Sequence, residues 1–432
     1  MNIPDLYDIF TRHPDIVTDS RRCTPGCLFF ALRGDRFNGN RFAEEALAGG
    51  AAYAVVDDPG VVQGERYIRV EDSLTALQEL ASFHRSSIEV PVIAITGSNG
   101  KTTTKELMSR ILSTRYLVKA TGGNLNNHIG VPLTLLGMDA ATEIGLVEMG
   151  ANHPGEIAFL CTLAKPDYGL ITNVGSAHLE GFGSLEGVKK AKSELYHYLE
   201  SEGGLIFCNG ADPDLLDMIS GLQAGIVIYG DTEDSVCSGE VLSADPVLRF
   251  RLDMRHGETK EIETGLAGAY NLGNLLAAVA VGLHFRVDPV EICRALDGFS
   301  LDNNRSQRIH TGSNILIMDA YNANPSSMRA ALENFSLQDH PRKALVLGDM
   351  LELGKYAETA HREVLDYLRK MDCGQVFLVG EEFSKLPVPE GMSVFPSVSE
   401  LDEWLAGHPL RDSLILVKGS RGIGLERIRD KL

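Results

Sequence analysis

The feature that most constrains this fold is an apolar run that ends in a glycine-rich loop. Residues 90–96 have the sequence VPVIAIT, and residues 97–104 continue as GSNGKTTT. The run is typical of a buried parallel strand, and the apolar spacing after Lys101 predicts a helix over residues 101–114. Glycines allow the backbone to wrap a phosphate, helical N–H groups point at it, and Lys101 supplies charge. The hydroxyl of Thr102 is placed to bind Mg²⁺.

This loop predicts a phosphate site although the strict P-loop pattern is not matched. That pattern requires a glycine at the position of Ile95. The alternative is a glycine-rich turn between a strand and a helix that binds no ligand. The Gly-Lys-Thr sequence directly after a buried strand favours the phosphate site.

Alternating strands and helices predict an α/β protein, and 432 residues allow several domains at roughly 100–200 residues each. We expect three domains, each with its own core. Residues 1–85 form a small α/β N-terminal domain, with a linker at residues 85–87. Residues 86–304 form a central domain of P-loop type with a mostly parallel sheet, and residues 305–432 a Rossmann-like, doubly wound C-terminal domain. Strands are predicted at residues 144–148, 168–172, 204–208, 315–318, 344–347, 376–379 and 414–417, and helices at 74–84, 326–335, 359–371 and 398–406.

Composition excludes some functions. The net charge of −19 argues against a general nucleic-acid or anionic-membrane binder, because phosphate neutralisation requires clustered cations. Seven scattered cysteines are typical of reduced thiols in a cytoplasmic protein. Cys23 and Cys27 have no second Cys/His pair nearby to complete a zinc site. No signal peptide and no membrane span are expected, so we predict a cytoplasmic protein.

Polar side chains follow several predicted strands. Glu148 ends one strand beside the phosphate loop and is well placed to hold Mg²⁺. His178 follows the next strand, where a second metal ligand is wanted, although a lone histidine is usually structural. For Lys192, the residues alone favour a solvated helix face.

The C-terminal domain carries two further polar groups of residues. Residues 319–326, DAYNANPS, end a strand and begin a helix, and they are more densely polar than helix capping requires. Residues 418–421, KGSR, end the last predicted strand and are a candidate anion site, with an ordinary surface turn as the alternative.

Taken together, these motifs resemble the Mur ligase family of ATP-dependent amide-bond ligases in peptidoglycan precursor synthesis. The family's phosphate loop is the shorter Gly-x-x-Gly-Lys-Thr form, which accounts for Ile95. The resemblance covers the whole chain and is most specific at residues 19–21 (DSR), 25–34 (PGCLFFALRG), 123–134 (GNLNNHIGVPLT), 319–326, 347–354 (LGDMLELG) and 418–421. The chain departs from the family at residues 38–40, where Asn-Gly-Asn replaces the usual Asp-Gly-His, and at Tyr270, where His is common.

The resemblance implies a role for individual residues. Lys101 contacts the β- and γ-phosphates of ATP, Asn271 the adenine, Arg305 the γ-phosphate and Asp319 the ribose. Thr102 and Glu148 hold one Mg²⁺, whereas His178 and Lys192, carbamylated by CO₂, hold a second. The expected catalytic residues are Lys101, Glu148, His178 and Lys192; the expected ATP-binding residues are Gly97, Ser98, Asn99, Gly100, Lys101, Thr102, Thr103, Asn271, Asn274, Arg305 and Asp319; and the expected substrate-binding residues are Ser20, Arg21, Asn124, Asn126, Asn127, Tyr321, Asn322 and Asn324.

The implied reaction joins D-alanyl-D-alanine to UDP-N-acetylmuramoyl-tripeptide through an acyl phosphate, releasing ADP and phosphate, in a chain expected to be a monomer. The alternatives are a sister ligase that adds one amino acid, an enzyme like folylpolyglutamate synthetase, or an ATPase or nucleotide sensor whose ligase site has lapsed. The third residue of the tripeptide (diaminopimelate or lysine), and tolerance of D-Ala-D-lactate or D-Ala-D-Ser, stay open.

Overall fold

The computed structural model describes residues 1–34, 37–255, 259–301 and 305–432. Three α/β units follow one another along the chain and confirm the expected fold class. The boundary expected at residue 304 falls on residues 302–304, outside the described residues. Among the helices that the structure describes, none has the length and apolar character needed to cross a membrane.

The N-terminal unit is built on a four-stranded parallel sheet in the order β1-β2-β5-β6, beside a two-stranded hairpin of β3 and β4. The second strand, LFF, is buried throughout, as a strand covered on both faces requires. The elements are α1 (Ile3–Arg12), β1 (Ile16–Val17), β2 (Leu28–Phe30), β3 (Arg33–Gly34), β4 (Phe37–Asn38), α2 (Ala43–Ala48), β5 (Tyr53–Val56), β6 (Tyr67–Arg69) and α3 (Ser73–Ser87).

The linker expected at residues 85–87 is wrong, because these residues are the last turn of α3. Arg85 is buried and donates hydrogen bonds to the carbonyls of Ala164 (2.8 Å) and Lys165 (3.0 Å) and to the carboxylate of Asp167 (2.9 Å). Apolar residues of α1 and α3 also belong to the same buried cluster as those of the central unit. The N-terminal unit therefore shares a core with its neighbour and does not have one wholly of its own.

The central unit has a six-stranded, fully parallel sheet in the order β12-β11-β10-β7-β9-β8. All five side chains of β7 are buried, as the sequence VIAIT predicts. The elements are β7 (Val92–Thr96), α4 (Lys101–Leu112), β8 (Val118–Ala120), α5 (Gly130–Leu136), β9 (Ile144–Glu148), α6 (Glu156–Ala164), β10 (Tyr168–Ile171), α7 (Leu179–Phe182), α8 (Leu185–Glu202), β11 (Leu205–Asn209), α9 (Pro213–Ile219), β12 (Gly225–Tyr229), β13 (Cys237–Ser243), β14 (Arg249–Met254), β15 (Lys260–Glu263), α10 (Leu272–His284) and α11 (Pro289–Leu296).

A separate antiparallel sheet of β13, β14 and β15 was not predicted. Along β14 the side chains alternate between exposed and buried, which is the pattern of a sheet with one solvated face. Its buried face packs with α10 and α11 in the core that lies under α4. This sheet therefore supports the helix that begins at the phosphate loop.

The C-terminal unit has six strands in the order β16-β17-β21-β18-β19-β20, parallel except for β16, with helices on both faces. Asn324 begins α12 with a capping box, since its side chain accepts from the N–H of Ser327 (2.9 Å). The elements are β16 (Gln307–His310), β17 (Ile315–Asp319), α12 (Pro325–Ser336), β18 (Lys343–Gly348), α13 (Ala357–Leu368), β19 (Gln375–Val379), α14 (Glu381–Ser384), β20 (Met392–Phe395), α15 (Val398–Gly407) and β21 (Leu414–Lys418).

Two sheet edges meet between the central and C-terminal units. In the central sheet β7 lies between β9 and β10, so the loops after these three strands emerge side by side. In the C-terminal sheet β21 lies between β17 and β18, which brings residues 319–326, 349–354 and 418–421 together. Ligands of open α/β sheets bind at such carboxyl ends, and both edges line one cavity.

Candidate functional site

The cavity between the central and C-terminal units has a volume of about 720 Å³. Most of the residues predicted from the sequence line it. From the central unit these are Ser98, Asn99, Gly100, Lys101, Thr103, Asn124, Asn126, Asn127, Glu148, His178, Asn271 and Asn274, and around the C-terminal unit they are Arg305, Asp319, Tyr321, Asn322 and Asn324.

The phosphate loop is held in shape by the strand beside it. The N–H of Asn99 donates to the side chain of Asn173 (3.0 Å), while Asn173 and Thr172 both donate to the carbonyl of Asn99 (3.0 and 2.6 Å). Gly100 has a φ of +81°, and a Cβ there would overlap the side chain of Asn274. The loop is therefore preformed, and its glycine is required by the close approach of α10.

Lys101 begins α4 and its ammonium group turns back into the loop. Its Nζ donates to the carbonyls of Gly97 (2.6 Å) and Ser98 (3.3 Å). Burial lowers the pKa of Lys101 to about 8, and the positive charge of Arg305 acts in the same direction while Glu148 opposes it. A partly exposed ammonium that has no ion-paired carboxylate among the described residues favours the binding of an anion in front of the loop.

Glu148 and Thr102 form a buried pair of oxygen donors. The hydroxyl of Thr102 donates to Oε2 of Glu148 (2.9 Å), the amide of Asn126 donates to Oε1 (2.8 Å), and Glu148 is 1% exposed. Mg²⁺ prefers oxygen ligands and is usually held by one or two protein groups together with substrate phosphates. This pair fits such an ion. No group of three or more His, Cys, Asp or Glu side chains that could hold a metal by themselves occurs in the described ranges.

Lys192 and His178 are the other proposed metal ligands. Lys192 lies on α8 behind the cavity wall, 2% exposed, with its Nζ 5.4 Å from the ring centre of Phe182. Burial lowers the pKa of Lys192 to about 7, and Lys101 lowers it further. The interpretation of a solvated helix face is therefore wrong. An amine and an imidazole do not match the oxygen preference of Mg²⁺, so this pair fits the ion only once Lys192 carries a carboxylate.

The C-terminal side of the cavity contains a buried ion pair. Nζ of Lys418 lies 2.5 Å from Oδ2 of Asp319, and Lys418 is 1% exposed. The other carboxylate oxygen of Asp319 accepts from the N–H of Ser306 (3.2 Å), and the hydroxyls of Ser306 and Tyr270 are 2.8 Å apart. The ion pair holds the Asp319 carboxylate in place at the end of β17.

Two arginines lie over the ring of Tyr321. The guanidinium carbon of Arg305 is 3.7 Å from the ring centre and that of Arg421 is 5.3 Å from it. Stacking on an aromatic ring fixes the plane of a guanidinium group while its N–H donors remain available for an anion. Of the candidate anion site at residues 418–421, Lys418 lines the cavity, whereas Arg421 is exposed and reaches Tyr321 from outside the lining.

The phosphate loop is bonded directly to the C-terminal unit. The amide of Asn99 donates to the hydroxyl of Ser326 (3.0 Å) and accepts from the amide of Asn324 (2.8 Å). Ser326 in turn donates to Oδ1 of Asn324 (2.9 Å), which closes a ring of three hydrogen bonds. The start of α12 is thereby placed against the loop.

Asn271 and Asn274 connect α10 to the phosphate-loop helix. Asn271 donates to the carbonyl of Ala267 (2.8 Å) and accepts from Asn274 (3.0 Å), which accepts from the hydroxyl of Thr104 (3.1 Å). Both asparagines line the cavity, but their amides already make hydrogen bonds within the central unit. Tyr270, at the position where the family commonly has His, lines it as well.

Some predicted site residues do not line the cavity. Gly97, Thr102 and Lys192 lie behind its wall, and Ser20 and Arg21 lie in the N-terminal unit. Arg21 is exposed and pairs with Asp19, the Nη2–Oδ2 distance being 2.7 Å. Asn40, where the family has His, is 1% exposed and its amide bonds the carboxylate (2.7 Å) and the N–H (3.1 Å) of Asp57.

Residues that the sequence did not single out also shape the site. Asn173 fixes the loop, Ser326 receives Asn99, and Glu352 lies 2.6 Å from Nδ1 of His178. Asn173 and Ser326 belong to polar stretches after predicted strands, so their position in the sequence could have predicted that they lie at the site. Glu352 belongs to a quoted motif, but only the pairing of two distant loops reveals its partner.

Comparison with known proteins relates the whole chain to one family. The model of the Mur ligase middle domain matches residues 95–282, that of the Mur ligase glutamate ligase domain matches residues 304–421, and that of the Mur ligase family catalytic domain matches residues 15–85. The chain is 37% identical over 424 residues to the UDP-N-acetylmuramoyl-tripeptide–D-alanyl-D-alanine ligase of Bacillus subtilis, covering 96% of this chain and 92% of that protein.

Solved structures give the same relationship. MurF from Acinetobacter baumannii superposes with a TM-score of 0.85 at 31% identity, covering 96% of this chain and 92% of that one. MurF ligase from Thermotoga maritima, determined in complex with ADP, superposes with a TM-score of 0.85 at 27% identity, covering 98% and 97%.

Proposed function

The chain belongs to the Mur ligase family, and we propose that it joins D-alanyl-D-alanine to UDP-N-acetylmuramoyl-tripeptide with cleavage of ATP to ADP and phosphate. The observation that carries this proposal is the cavity in which a preformed phosphate loop, the Thr102–Glu148 oxygen pair and the polar ends of the C-terminal strands meet. The similarity to a dipeptide-adding ligase over nearly the full chain supports the choice of substrates.

The proposed reaction has two steps. A carboxylate oxygen of the tripeptide bonds to the γ-phosphorus of ATP, the bond from that phosphorus to the β–γ bridging oxygen breaks, and ADP leaves. The amine nitrogen of the dipeptide then bonds to the carbonyl carbon of the acyl phosphate. The bond from that carbon to the bridging oxygen breaks, phosphate leaves with that oxygen, and the amine proton passes to solvent. Activation is needed because a carboxylate is a poor electrophile.

In this proposal, the phosphate loop and Lys101 bind the β- and γ-phosphates, and Lys101 offsets negative charge as it develops during transfer. Mg²⁺ held at Thr102 and Glu148 would neutralise phosphate charge and orient the γ-phosphate. Arg305, fixed by stacking on Tyr321, contributes a cation from the opposite side. The bonds from Asn99 to Asn324 and Ser326 bring the two sides together and help exclude water from the reactive acyl phosphate.

We also propose that CO₂ carbamylates Lys192. Only a neutral amine reacts with CO₂, and burial lowers the pKa of Lys192 to about 7. Its Nζ has no hydrogen-bond or salt-bridge partner in the described part of the chain, so the amine is available. The amine nitrogen bonds to the carbon of CO₂, one C–O π bond opens and the nitrogen releases a proton. A buried amine is thereby replaced by a carboxylate, which is the ligand type that Mg²⁺ prefers.

The remaining assignments follow the family resemblance and stay proposals. The domains are residues 1–85, which bind the uridine diphosphate part through Ser20 and Arg21, residues 86–304, which bind ATP, and residues 305–432. Asn271 serves the adenine, Asn274 is a further ATP-binding residue, and Asp319 serves the ribose. The other nucleotide-sugar and peptide contacts are Asn124, Asn126, Asn127, Tyr321, Asn322 and Asn324. A cytoplasmic, monomeric enzyme is proposed, and its seven free cysteines agree with a reducing compartment.

The decisive experiment is ATP-dependent phosphate release with UDP-N-acetylmuramoyl-tripeptide, prepared with diaminopimelate and with lysine as third residue. D-alanyl-D-alanine is compared with free diaminopimelate, lysine and glutamate as the amine. Release only with the dipeptide is expected. Release only with a single amino acid would point to a sister ligase, and nucleotide binding without release would favour a nucleotide sensor.

A further inference from the structure

Two loops from different domains meet at one edge of the cavity. The first follows β10 in the central unit and ends at His178, directly before α7, and the second comprises residues 349–354 of the C-terminal unit. Oε2 of Glu352 lies 2.6 Å from Nδ1 of His178, and both residues line the cavity. Nδ1 is buried and has no well-aligned hydrogen-bond partner among the described residues, while the Glu352 carboxylate lies at ion-pair distance from it.

Both residues hold an unusual backbone conformation at this contact. His178 has a φ of +52° and Glu352 a φ of +65°, in the left-handed region that side chains with a Cβ seldom adopt. Such conformations cost free energy and persist only where the surrounding structure enforces them, which is most often at functional sites. Here two of them face each other across a domain interface.

Neighbouring bonds hold the two loops in register. The carbonyl of Glu352 accepts from the N–H of Glu180 (3.3 Å), and the hydroxyl of Tyr356 donates to the carbonyl of Gly183 (2.9 Å). On the C-terminal side the N–H of Leu351 donates to the hydroxyl of Ser420 (2.9 Å). The Glu352 side chain itself is 51% exposed, so its carboxylate is not needed to fill a core.

We propose that Glu352 is a positioning residue that orients the His178 imidazole and selects its tautomer, and that it does so only when the C-terminal domain is docked. This inference rests on the proposed function for the role of His178. An ionised carboxylate can only accept hydrogen bonds, so the nitrogen facing it must carry the proton. The proton on Nδ1 leaves Nε2 as the electron-pair donor, which is how carboxylates prepare histidines for ligation.

The competing explanation is that Glu352 merely helps to dock the two domains. Tyr356→Phe is the matched control, because it removes a hydrogen bond of the same interface without touching His178. Glu352→Gln separates the two explanations further. Its amide oxygen can still accept from Nδ1–H, whereas an ion pair between domains would be lost.

The first measurement is made on protein without nucleotide, so that it does not depend on turnover. Nitrogen-15 spectra of histidine-labelled protein near pH 8 show which ring nitrogen carries the proton, and a His178→Ala sample assigns the signal. We expect Nδ1–H in the wild type, in Glu352→Gln and in Tyr356→Phe, and a shift towards Nε2–H in Glu352→Ala. An unchanged signal in Glu352→Ala, or the same shift in Tyr356→Phe, would overturn the proposal.

The second measurement is a double-mutant cycle on ligase turnover. Glu352→Ala should lower kcat about 10–100-fold, the usual effect of removing a ligand-orienting group, with KM for ATP changed less than about 3-fold. In the His178→Ala variant, adding Glu352→Ala should lower kcat no further. Equal losses in both backgrounds would show that Glu352 does not act through His178. If the wild type forms no product at all, the proposed function fails while the nitrogen signals still decide the role of Glu352.

Discussion

The central-domain side of the cavity is held by bonds within one domain, whereas the C-terminal side reaches the site only through contacts between domains. Glu148 is fixed by Thr102 and Asn126, and the phosphate loop is fixed by Asn173, all within the central unit. The groups opposite are Asn324, Ser326 and Glu352, each of which meets a central-domain side chain across the interface.

This difference separates phosphate binding from catalysis. A preformed loop can bind nucleotide whether or not the C-terminal domain is docked. The full arrangement, which includes Arg305, Asp319 and the His178–Glu352 contact, needs residues of both domains. Changes on the central side should therefore act on nucleotide binding and chemistry together, and changes on the C-terminal side should act on kcat with less effect on nucleotide binding.

The largest effect is expected for Lys101→Met. In the proposed mechanism the Lys101 ammonium, which lines the cavity, acts on the transferring phosphate. Removing such an electrostatic contact costs about 10²–10³ in kcat at a single donor, with more expected for a full charge. The fold should be unharmed, because the burial that lowers the pKa of Lys101 already disfavours its charge. Phosphate release and thermal unfolding are measured together.

The matched control for Lys101→Met is Arg110→Met, which removes an exposed cation from the same helix. It should leave phosphate release within about 2-fold of the wild type, since exposed charges on a helix contribute little. Near-normal turnover in Lys101→Met would show that the phosphate loop takes no part in the reaction. The proposed role of the central-domain side would then be wrong.

Sequence patterns predicted the central side better than the C-terminal side, for a physical reason. A buried strand followed by Gly-Lys-Thr, and a carboxylate at the next strand end, are local patterns, and the observed β7, α4 and Glu148 follow them closely. The partners of Asn99 and His178 lie 225 and 174 residues away along the chain, and no local pattern records such a pairing.

The burial of individual charged side chains could not be predicted from the sequence either. Lys192 lies within a helix whose charged residues resemble a solvated face, yet Lys192 is 2% exposed. Residues 85–87 combine Arg and two Ser and resemble a linker, yet Arg85 is buried against carbonyls of the central unit. Arg85 reaches partners that are distant in sequence, whereas Lys192 is enclosed by packing. In both cases tertiary structure overrides local composition.

The next largest effect is expected for Lys192→Ala, which removes the proposed carbamate. Ligase activity should fall by about 10²-fold, as for loss of a metal ligand group, and small carboxylates such as formate or acetate should restore part of it by occupying the space left by the side chain. Lys190→Ala, an exposed change on the same helix, should have neither effect. Full activity without added carboxylate would show that no carbamate is needed.

A pH experiment tests the buried amine independently of catalysis. Burial lowers the pKa of Lys192 from 10.5 to about 7. Between these pH values the unfolded chain binds more protons than the native one, so Lys192 makes the free energy of unfolding rise with pH. Below pH 7 the amine is protonated in both states, and the destabilisation caused by its burial is complete. In CO₂-free buffer, Lys192→Met should therefore be more stable than the wild type near pH 6.5 by about 2–4 kcal/mol, with the difference shrinking towards pH 10. Urea unfolding at several pH values measures this, and a constant difference would contradict it.

The smallest effect is expected at the bond that joins the two sides. Asn324→Ser removes it together with the Ser326–Asn324 bond of the same ring. Serine still caps α12 but is too short to reach Asn99, so the interdomain hydrogen bond, worth about 0.5–1.5 kcal/mol, is lost while the helix is kept. We expect kcat to fall about 2–10-fold with unchanged thermal stability and little change in KM for ATP. Asn324→Ala should show the same fall in kcat and also lose about 1 kcal/mol of stability with the cap. If Asn324→Ser instead raises KM for ATP as much as it lowers kcat, nucleotide binding depends on docking too, and the two sides of the cavity form a single unit.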